Sequence, residues 1–217
     1  MIGVRLGVPI ACWRKGHARE LLETEVLPPP ATCYGALLSL VGETDRDRHI
    51  GCRVTSGLLN QPEISTVLRT FWRIKHKKTS QGNGENARPD FQQLVMNADL
   101  VVWCDSAEEA SPTDRLEARV CTALRSPARV ERFGGWSLGE STHLINDAWL
   151  LATGDLPAPC RTFVEDPEGA VTLPVWVDHV GTSGTRYTVG TLQSISRSPD
   201  VSRVPRIAPP PVAGNGT

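Results

Sequence analysis

The sequence predicts an α+β fold, because strand-like and helix-like patterns follow one another in the order β-α-β, a long interruption, and β-α-β. Residues 2–10 alternate between apolar and other side chains, residues 34–41 repeat at helical spacing, and residues 98–105 form an apolar run. That order is typical of the split βαβ, ferredoxin-like (RRM-like) arrangement. A doubly wound sheet is disfavoured, since two helices are too few to cover both of its faces.

The first strand and the first helix have the clearest patterns. In residues 2–10 every second side chain is apolar, which predicts a strand with one buried face. Three prolines at 28–30 suit the approach and first turn of a helix but not its interior. Apolar side chains in residues 34–41 then recur at i, i+3, i+4 and i+7, which predicts a helix of about three turns that Gly42 caps.

The middle of the chain contains a long insertion. Residues 51–61 are expected to form a second strand, and residues 98–105 a third. The insertion between them, at about 65–98, is expected to be an extruded hairpin. These elements predict a single domain over residues 1–195, followed at 196–217 by a Pro- and Gly-rich extended tail that is free or lies on a partner.

The second helix and the last strands complete the predicted domain. Ser111 is expected to be the N-cap of the helix, with Pro112 in its first position, Asp114 in a capping-box-like pattern and Pro127 at its end. Three strands are expected after this helix, in residues 142–152, 170–180 and 185–195. The last two of them add to the ferredoxin-like core.

The composition argues against several classes of protein. The 217 residues include 23 basic and 24 acidic side chains and are 40% apolar, as in ordinary globular proteins. The six cysteines include no C-x-x-C pair and the five histidines no pair at ligand spacing, so reduced thiols, no metal and no cofactor are expected. No apolar run approaches the roughly 18 residues of a membrane span and no signal peptide is evident, so a cytoplasmic protein is expected.

Basic residues are concentrated in the insertion. The stretch RTFWRIKHKK contains five cations, two aromatic rings and no acid, and a smaller basic cluster with Arg14 and Lys15 follows the first strand. Arg and Lys attract phosphate, and aromatic rings stack on unpaired bases. The insertion therefore predicts nucleic-acid binding, with a solvated strand edge as the alternative. The residues proposed for binding here are Arg69, Arg73, Lys75, His76, Lys77 and Lys78.

A glycine-rich loop, RFGGWSLGES at residues 132–141, contains a literal G-x-S-x-G match. A nucleophilic Ser137 would need a strand before it, a helix after it, and an Asp and a His downstream. The flanking sequence is short and polar on one side and strand-like on the other, so a serine hydrolase is the least favoured alternative.

The glycines of the loop permit a second interpretation. Residues with positive φ leave room for a ligand, and consecutive amides form an anion-binding nest. A third interpretation is a tight turn that buries Trp136. The nest interpretation predicts RNA contacts from Gly134, Gly135, Trp136, Ser137, Gly139 and Ser141.

Three segments together resemble one known family. They are the opening strand running into ETEVLPPPATCYGALLSLVGE, the basic insertion, and RFGGWSLGES after the second helix. Over residues 1–150 they resemble the CRISPR-associated Cas-five family of the RAMP superfamily, whose members are subunits of type I Cascade surveillance complexes. The stretch LPPPATCYGALLSLVGETDRDRHIG is the most specific and is similar to the branch found in Myxococcus-type type I-B systems.

The resemblance implies a ferredoxin-like palm with a β-hairpin thumb and a role in binding guide RNA. Members of the family cap the 5′ handle of the CRISPR guide RNA and contact the large and backbone subunits of Cascade, and target DNA near the seed end is a further expected partner. By position, the thumb corresponds to about residues 69–90, the glycine-rich loop to residues 134–141, and the helix-entry contacts to Thr32, Tyr34 and Gly35.

Catalysis is not expected from the resemblance. One branch of the family cleaves precursor RNA with a Tyr/Lys/His set, but no matching motif is present here. The residues available for such a set are Tyr34, Lys75 or Lys78, and His49 or His76. A metal-independent endoribonuclease is therefore the alternative to a binding subunit.

Overall fold

A computed structural model describes residues 1–16, 21–72, 87–110, 113–152, 156–180 and 183–211 of the chain. Within these ranges the chain forms nine strands, two α-helices and two short 3-10 helices, at Pro127–Arg129 and Val201–Arg203. In chain order the strands and α-helices are β1 Ile2–Ala11, β2 Leu21–Leu22, α1 Pro30–Leu40, β3 Arg53–Leu58, β4 Glu63–Trp72, β5 Ala87–Asp105, α2 Leu116–Arg125, β6 Asp147–Leu150, β7 Cys160–Glu165, β8 Val171–Trp176 and β9 Arg186–Ile195.

One mixed sheet contains all of these strands. Its main path runs β6-β1-β5-β3-β7-β9-β8, and β2 and β4 pair with β5 beside that path. Neighbours on the main path are antiparallel, and the parallel pair is β2 with β5. A sheet with two α-helices packed on it confirms the α+β class.

The core lies between the sheet and the helices. The alternating apolar residues of β1, among them Val4 and Leu6, are fully buried there, as the period-two pattern predicts. α1 packs on β3 and β8, and α2 packs on α1 and β6. Removing this apolar surface from water is the main stabilising term, at about 25 cal/mol per Å².

Both ends of α1 follow from local sequence. Pro30 occupies the first turn, where its missing N–H needs no partner. At the other end Gly42 has φ +69°, and the backbone N–H of Glu43 donates to the carbonyl of Leu38 (2.9 Å). A Cβ at Gly42 would lie 2.0 Å from the carbonyl oxygen of Glu131, so only glycine fits this position. The predicted helix and its cap are confirmed.

The predicted start of α2 is wrong. The helix begins at Leu116, and Ser111 and Pro112 lie outside the described residues. The carboxylate of Glu109 accepts from the backbone N–H of Leu116 (3.1 Å), and Asp114 has φ +62°, which is not helical. Glu109, seven residues before Leu116, therefore caps the helix in place of Ser111, the N-cap that the local sequence predicts.

The insertion contributes two long, paired arms. β4 runs antiparallel to the first part of β5, from Glu63 opposite Met96 to Trp72 opposite Ala87. β5 extends over 19 residues and includes both the second arm of the insertion and the predicted third strand. The described arms are paired as a hairpin requires, and the first of them begins at Glu63, two residues before the predicted start of the insertion.

The C-terminal third differs from the prediction in two ways. β7 joins β3 to β9 and was not predicted, although the last two strands, β8 and β9, were. The segment predicted to be free or on a partner packs on this chain instead: Val204 and Ile207 are fully buried. The backbone N–H of Ile207 donates to the carbonyl of Cys52 (2.8 Å) and that of Gly51 to the carbonyl of Ile207 (2.9 Å).

Candidate nucleic-acid interface

A cleft of about 360 Å³ lies between α1, the glycine-rich loop and the end of β8. It brings together two segments that are 100 residues apart in sequence and that were both predicted to bind RNA. Of the predicted residues, Thr32, Tyr34, Gly35, Ser137 and Gly139 line it. The other polar or aromatic groups on its walls are Ser39, Arg46, Trp176 and His179.

The glycine-rich loop is held in one conformation by its backbone. Gly134 and Gly139 have φ of +68° and +110°, as predicted, whereas Gly135 does not have a positive φ. A Cβ at Gly139 would lie 2.8 Å from the carbonyl oxygen of Cys12. The backbone N–H of Leu138 donates to the carbonyl of His143 (3.1 Å), which closes the loop on itself.

Trp136 has a structural role that limits its use as a stacking surface. Its indole Nε1–H donates to the carbonyl of Ala36 in α1 (2.8 Å), and the half-buried ring packs against the core. This supports the turn interpretation for Trp136. The same hydrogen bond fixes the glycine-rich loop against α1 and so forms one end of the cleft.

Arg46 is a cation of the cleft that sequence reasoning missed. Its guanidinium donates to the carbonyl of Val177 (2.8 Å) and lies 3.7 Å from the ring centroid of Trp176. The hydroxyl of Tyr34 in turn donates to the backbone carbonyl of Arg46 (2.7 Å). In the sequence Arg46 stands between two aspartates, so no excess of positive charge marks it.

Two residues proposed for RNA cleavage have side chains engaged in structural hydrogen bonds. Burial raises the pKa of the Tyr34 phenol well above its ordinary value, and its hydroxyl is already a donor. His49 is buried; its Nε2 accepts from Arg119 (3.0 Å), so Nδ1 carries the proton that is donated to Glu109 (2.9 Å). Tyr34 and His49 therefore stabilise the fold.

The surroundings of Ser137 do not match a nucleophile elbow. A 3-10 helix and a coil precede Ser137, and the next regular element after it is β6. A nucleophile elbow requires a strand before the serine and a helix after it, and Ser137 has neither. Ser137 forms an isolated β-bridge with Leu144. His179 lines the same cleft, but no described hydrogen bond joins it to the Ser137 hydroxyl.

A polar network joins the base of the hairpin to the glycine-rich loop. Arg69 of β4 donates to the Gln92 side chain and to the carboxylate of Glu140 (3.1 Å). Gln92, which is fully buried, donates to the other oxygen of Glu140 (2.8 Å). Arg69, predicted as an RNA contact, is thus also a link between the hairpin and the loop.

The other predicted contacts lie elsewhere. Arg14 is exposed, and Lys15 lies 3.6 Å from the carboxylate of Glu23; neither lines the cleft, and exposed Ser141 does not line it either. The remaining basic residues of the hairpin lie outside the described residues. They are Arg73, Lys75, His76, Lys77 and Lys78.

Among the described residues, no group of three or more His, Cys, Asp or Glu side chains is arranged to hold a metal ion. Within the same ranges, no helix is both long enough and apolar enough to span a membrane.

Comparisons with known proteins agree on one group. The chain is 68% identical over 207 residues to the CRISPR-associated protein Cas5 of Myxococcus xanthus (strain DK1622), which covers 95% of this chain and 97% of that protein. A chain of a solved CRISPR RNA-guided surveillance complex has the same fold, with a TM-score of 0.60 at 12% identity over 90% of this chain and 89% of that one. No family model matches the sequence.

Proposed function

This chain belongs to the Cas5 family of CRISPR-associated proteins, and from that premise we propose that it is a non-catalytic, guide-RNA-binding subunit of a type I Cascade complex. In this proposal it caps the 5′ handle of the guide and contacts the backbone and large subunits, with target DNA near the seed end as a further partner. Such a complex acts in the cytoplasm.

The observation that carries the proposal is the composition of the cleft. Thr32, Ser39, Ser137 and Arg46 line a cleft of about 360 Å³, within the usual range of small-molecule sites. Arginine and hydroxyl groups are the usual partners of phosphate oxygens. The cleft therefore suits a nucleotide of single-stranded RNA.

The fold and the hairpin support the same proposal. In this proposal the part of the sheet in the order β6-β1-β5-β3 is assigned to the strand order 4-1-3-2 of a ferredoxin-like, RRM-like palm, with β7 to β9 as additional strands of a single domain. The proposal assigns β4 and the first part of β5 to the thumb. Apolar side chains exposed on it, Ile64, Leu68 and Phe91, suit contact with a protein neighbour.

A charge-removal experiment tests the cleft. In the purified complex, Arg46→Ala should reduce the guide RNA retained per protein, because a phosphate contact is lost, while Arg125→Ala on the exposed end of α2 serves as the matched control. Circular dichroism and thermal melting of each variant establish that it is folded. Equal guide retention by the two folded variants would contradict the assignment of Arg46.

A second experiment tests the thumb. Replacing four of its basic residues together should abolish guide retention while the fold survives, because each removes a cation facing phosphate. The four residues are Arg69, Arg73, Lys75 and Lys77. Unchanged RNA occupancy in this variant would argue against a thumb that grips RNA. Because Arg69 also links to Glu140, a triple variant that keeps Arg69 separates RNA binding from support of the loop.

A further inference from the structure

A groove continues from the cleft along the exposed side of α1. A second cavity, of about 250 Å³, is lined by Gly35, Leu38 and Ser39, which also line the cleft, and by Arg132 and Phe133. Because the two cavities share three residues on adjacent turns of one helix, they are neighbouring parts of a single groove. The groove therefore accommodates a ligand longer than one nucleotide.

Phe133 presents an aromatic ring at the end of this groove. Its side chain is 90% exposed, and around the neighbouring Gly134 there is open space. The backbone of Glu131 and Arg132, which precede Phe133, lies beside the C-terminal end of α1, since the carbonyl of Glu131 occupies the space that a Cβ at Gly42 would need. Because the Phe133 ring is exposed to solvent, an unpaired base can stack on it, and the adjacent Arg132 adds positive charge.

Gly35 forms part of the floor where the two cavities meet. It lies in the interior of α1, where glycine destabilises a helix relative to alanine. Apart from its chain neighbours and the backbone of its own helix, a Cβ at this position would meet no described atom within 4 Å, and the φ is not in the left-handed region. The fold of this chain therefore does not require glycine at position 35, whereas a ligand that approaches the helix backbone closely would.

We infer that the groove binds two consecutive nucleotides of single-stranded RNA. One lies in the cleft beside Arg46, and the base of the next stacks on Phe133 and passes over Gly35. This assignment rests on the proposed function and adds a second subsite to it. Ser39 and Thr44 also line the second cavity, and their hydroxyl groups are available types of partner for the polar edge of a base.

Glu43 is the acidic residue among those that line the second cavity. Its carboxylate accepts from Arg119 (2.5 Å) and Arg48 (3.0 Å), and these contacts hold the pKa of Glu43 at about 2. Because two arginines neutralise this carboxylate, it does not exclude RNA from the second cavity.

The stacking assignment is tested with the assembled complex and its guide RNA. Phe133→Ala should weaken guide binding by between about 5- and 150-fold, the effect of removing one base–aromatic stack. Phe133→Trp should retain binding because it keeps a ring. Trp149→Ala, which removes a half-exposed ring from β6 outside the groove, is the control and should leave guide binding unchanged.

A second variant distinguishes the effect of Gly35 on guide binding from its effect on the stability of the fold. Gly35→Ala should raise the melting temperature by about 1–4 °C, since alanine is the better helix former, and should still weaken guide binding. A lower melting temperature, or a folded Gly35→Ala variant that binds guide normally, would overturn the role of Gly35.

Three further outcomes of these measurements are distinguishable. Normal guide binding by Phe133→Ala together with a loss by Arg46→Ala overturns the second subsite and leaves the proposed function standing. Loss of a protein subunit from the Phe133→Ala complex with its guide still bound also overturns the subsite, since the ring then contacts a protein. A wild-type complex that contains no RNA overturns both the subsite and the proposed function.

Discussion

Glu140 connects the hairpin to the glycine-rich loop, and its removal has a calculable cost. Glu140→Ala breaks an ion pair with Arg69 whose side chains are 31% and 39% exposed, so solvent screening limits this term to about 0.5–1 kcal/mol. It also leaves a donor of the fully buried Gln92 without its acceptor, which costs about 1–3 kcal/mol. The sum is a destabilisation of about 1.5–4 kcal/mol, or a fall in melting temperature of about 3–16 °C.

Thermal and urea unfolding of three variants test this account of Glu140. Glu140→Gln keeps an oxygen that accepts from Gln92 and should lose only the ion-pair contribution, about 0.5–1 kcal/mol. Combining Glu140→Ala with Gln92→Leu should cost less than the sum of the two single changes, because both partners of one hydrogen bond are then absent. Equal stability of Glu140→Ala and the wild-type chain would refute the reasoning, as would strict additivity in the double variant.

Two further predictions concern stability. The pKa of Glu43 is held at about 2, chiefly by Arg119; after a reduction for solvent screening, stability of about 2 kcal/mol is present above pH 4.5 and is lost as pH falls toward 2. Urea unfolding between pH 2 and 6 should show this loss in the wild-type chain and a smaller one in Arg119→Met; equal pH dependence would contradict it. Ile207→Ala should cost about 2–4 kcal/mol because the side chain is fully buried. An unchanged melting temperature in that variant would instead indicate that the C-terminal segment does not pack on this chain.

The sequence predicts those elements whose causes are local. In β1 and α1 the spacing of apolar residues, the prolines before the helix and Gly42 after it act within a few positions, so pattern and structure agree. β8 and β9 were found for the same reason. The nest-forming φ of Gly134 and Gly139 also follows from the local sequence.

The features that were missed depend on contacts that form only on folding, with partners at least 7 positions away in sequence. The N-terminus of α2 is capped by Glu109 instead of Ser111, and the backbone N–H of Glu117 donates to the hydroxyl of Ser106 (3.1 Å). The burial of Ile207 is set by Cys52 and Gly51, which lie beside it only after folding. No local pattern reports such contacts.

The candidate site divides in the same way. Its loop and helix entry were predicted from glycines, hydroxyl groups and the family resemblance, whereas Arg46 belongs to a run of alternating acids and bases that averages to no charge. Only the packing of its guanidinium on Trp176, 130 residues later in the chain, places it in the cleft.

Ultraviolet cross-linking of the guide RNA to the wild-type protein in the assembled complex tests the central claim most directly. Sequencing the RNA and identifying the linked peptides gives both partners of each contact. The account predicts links between nucleotides at the 5′ end of the guide and peptides from residues 30–46 and 132–141, which form the cleft. Links confined to the interior of the guide, or to the α2 surface at Leu116–Arg125, would contradict it.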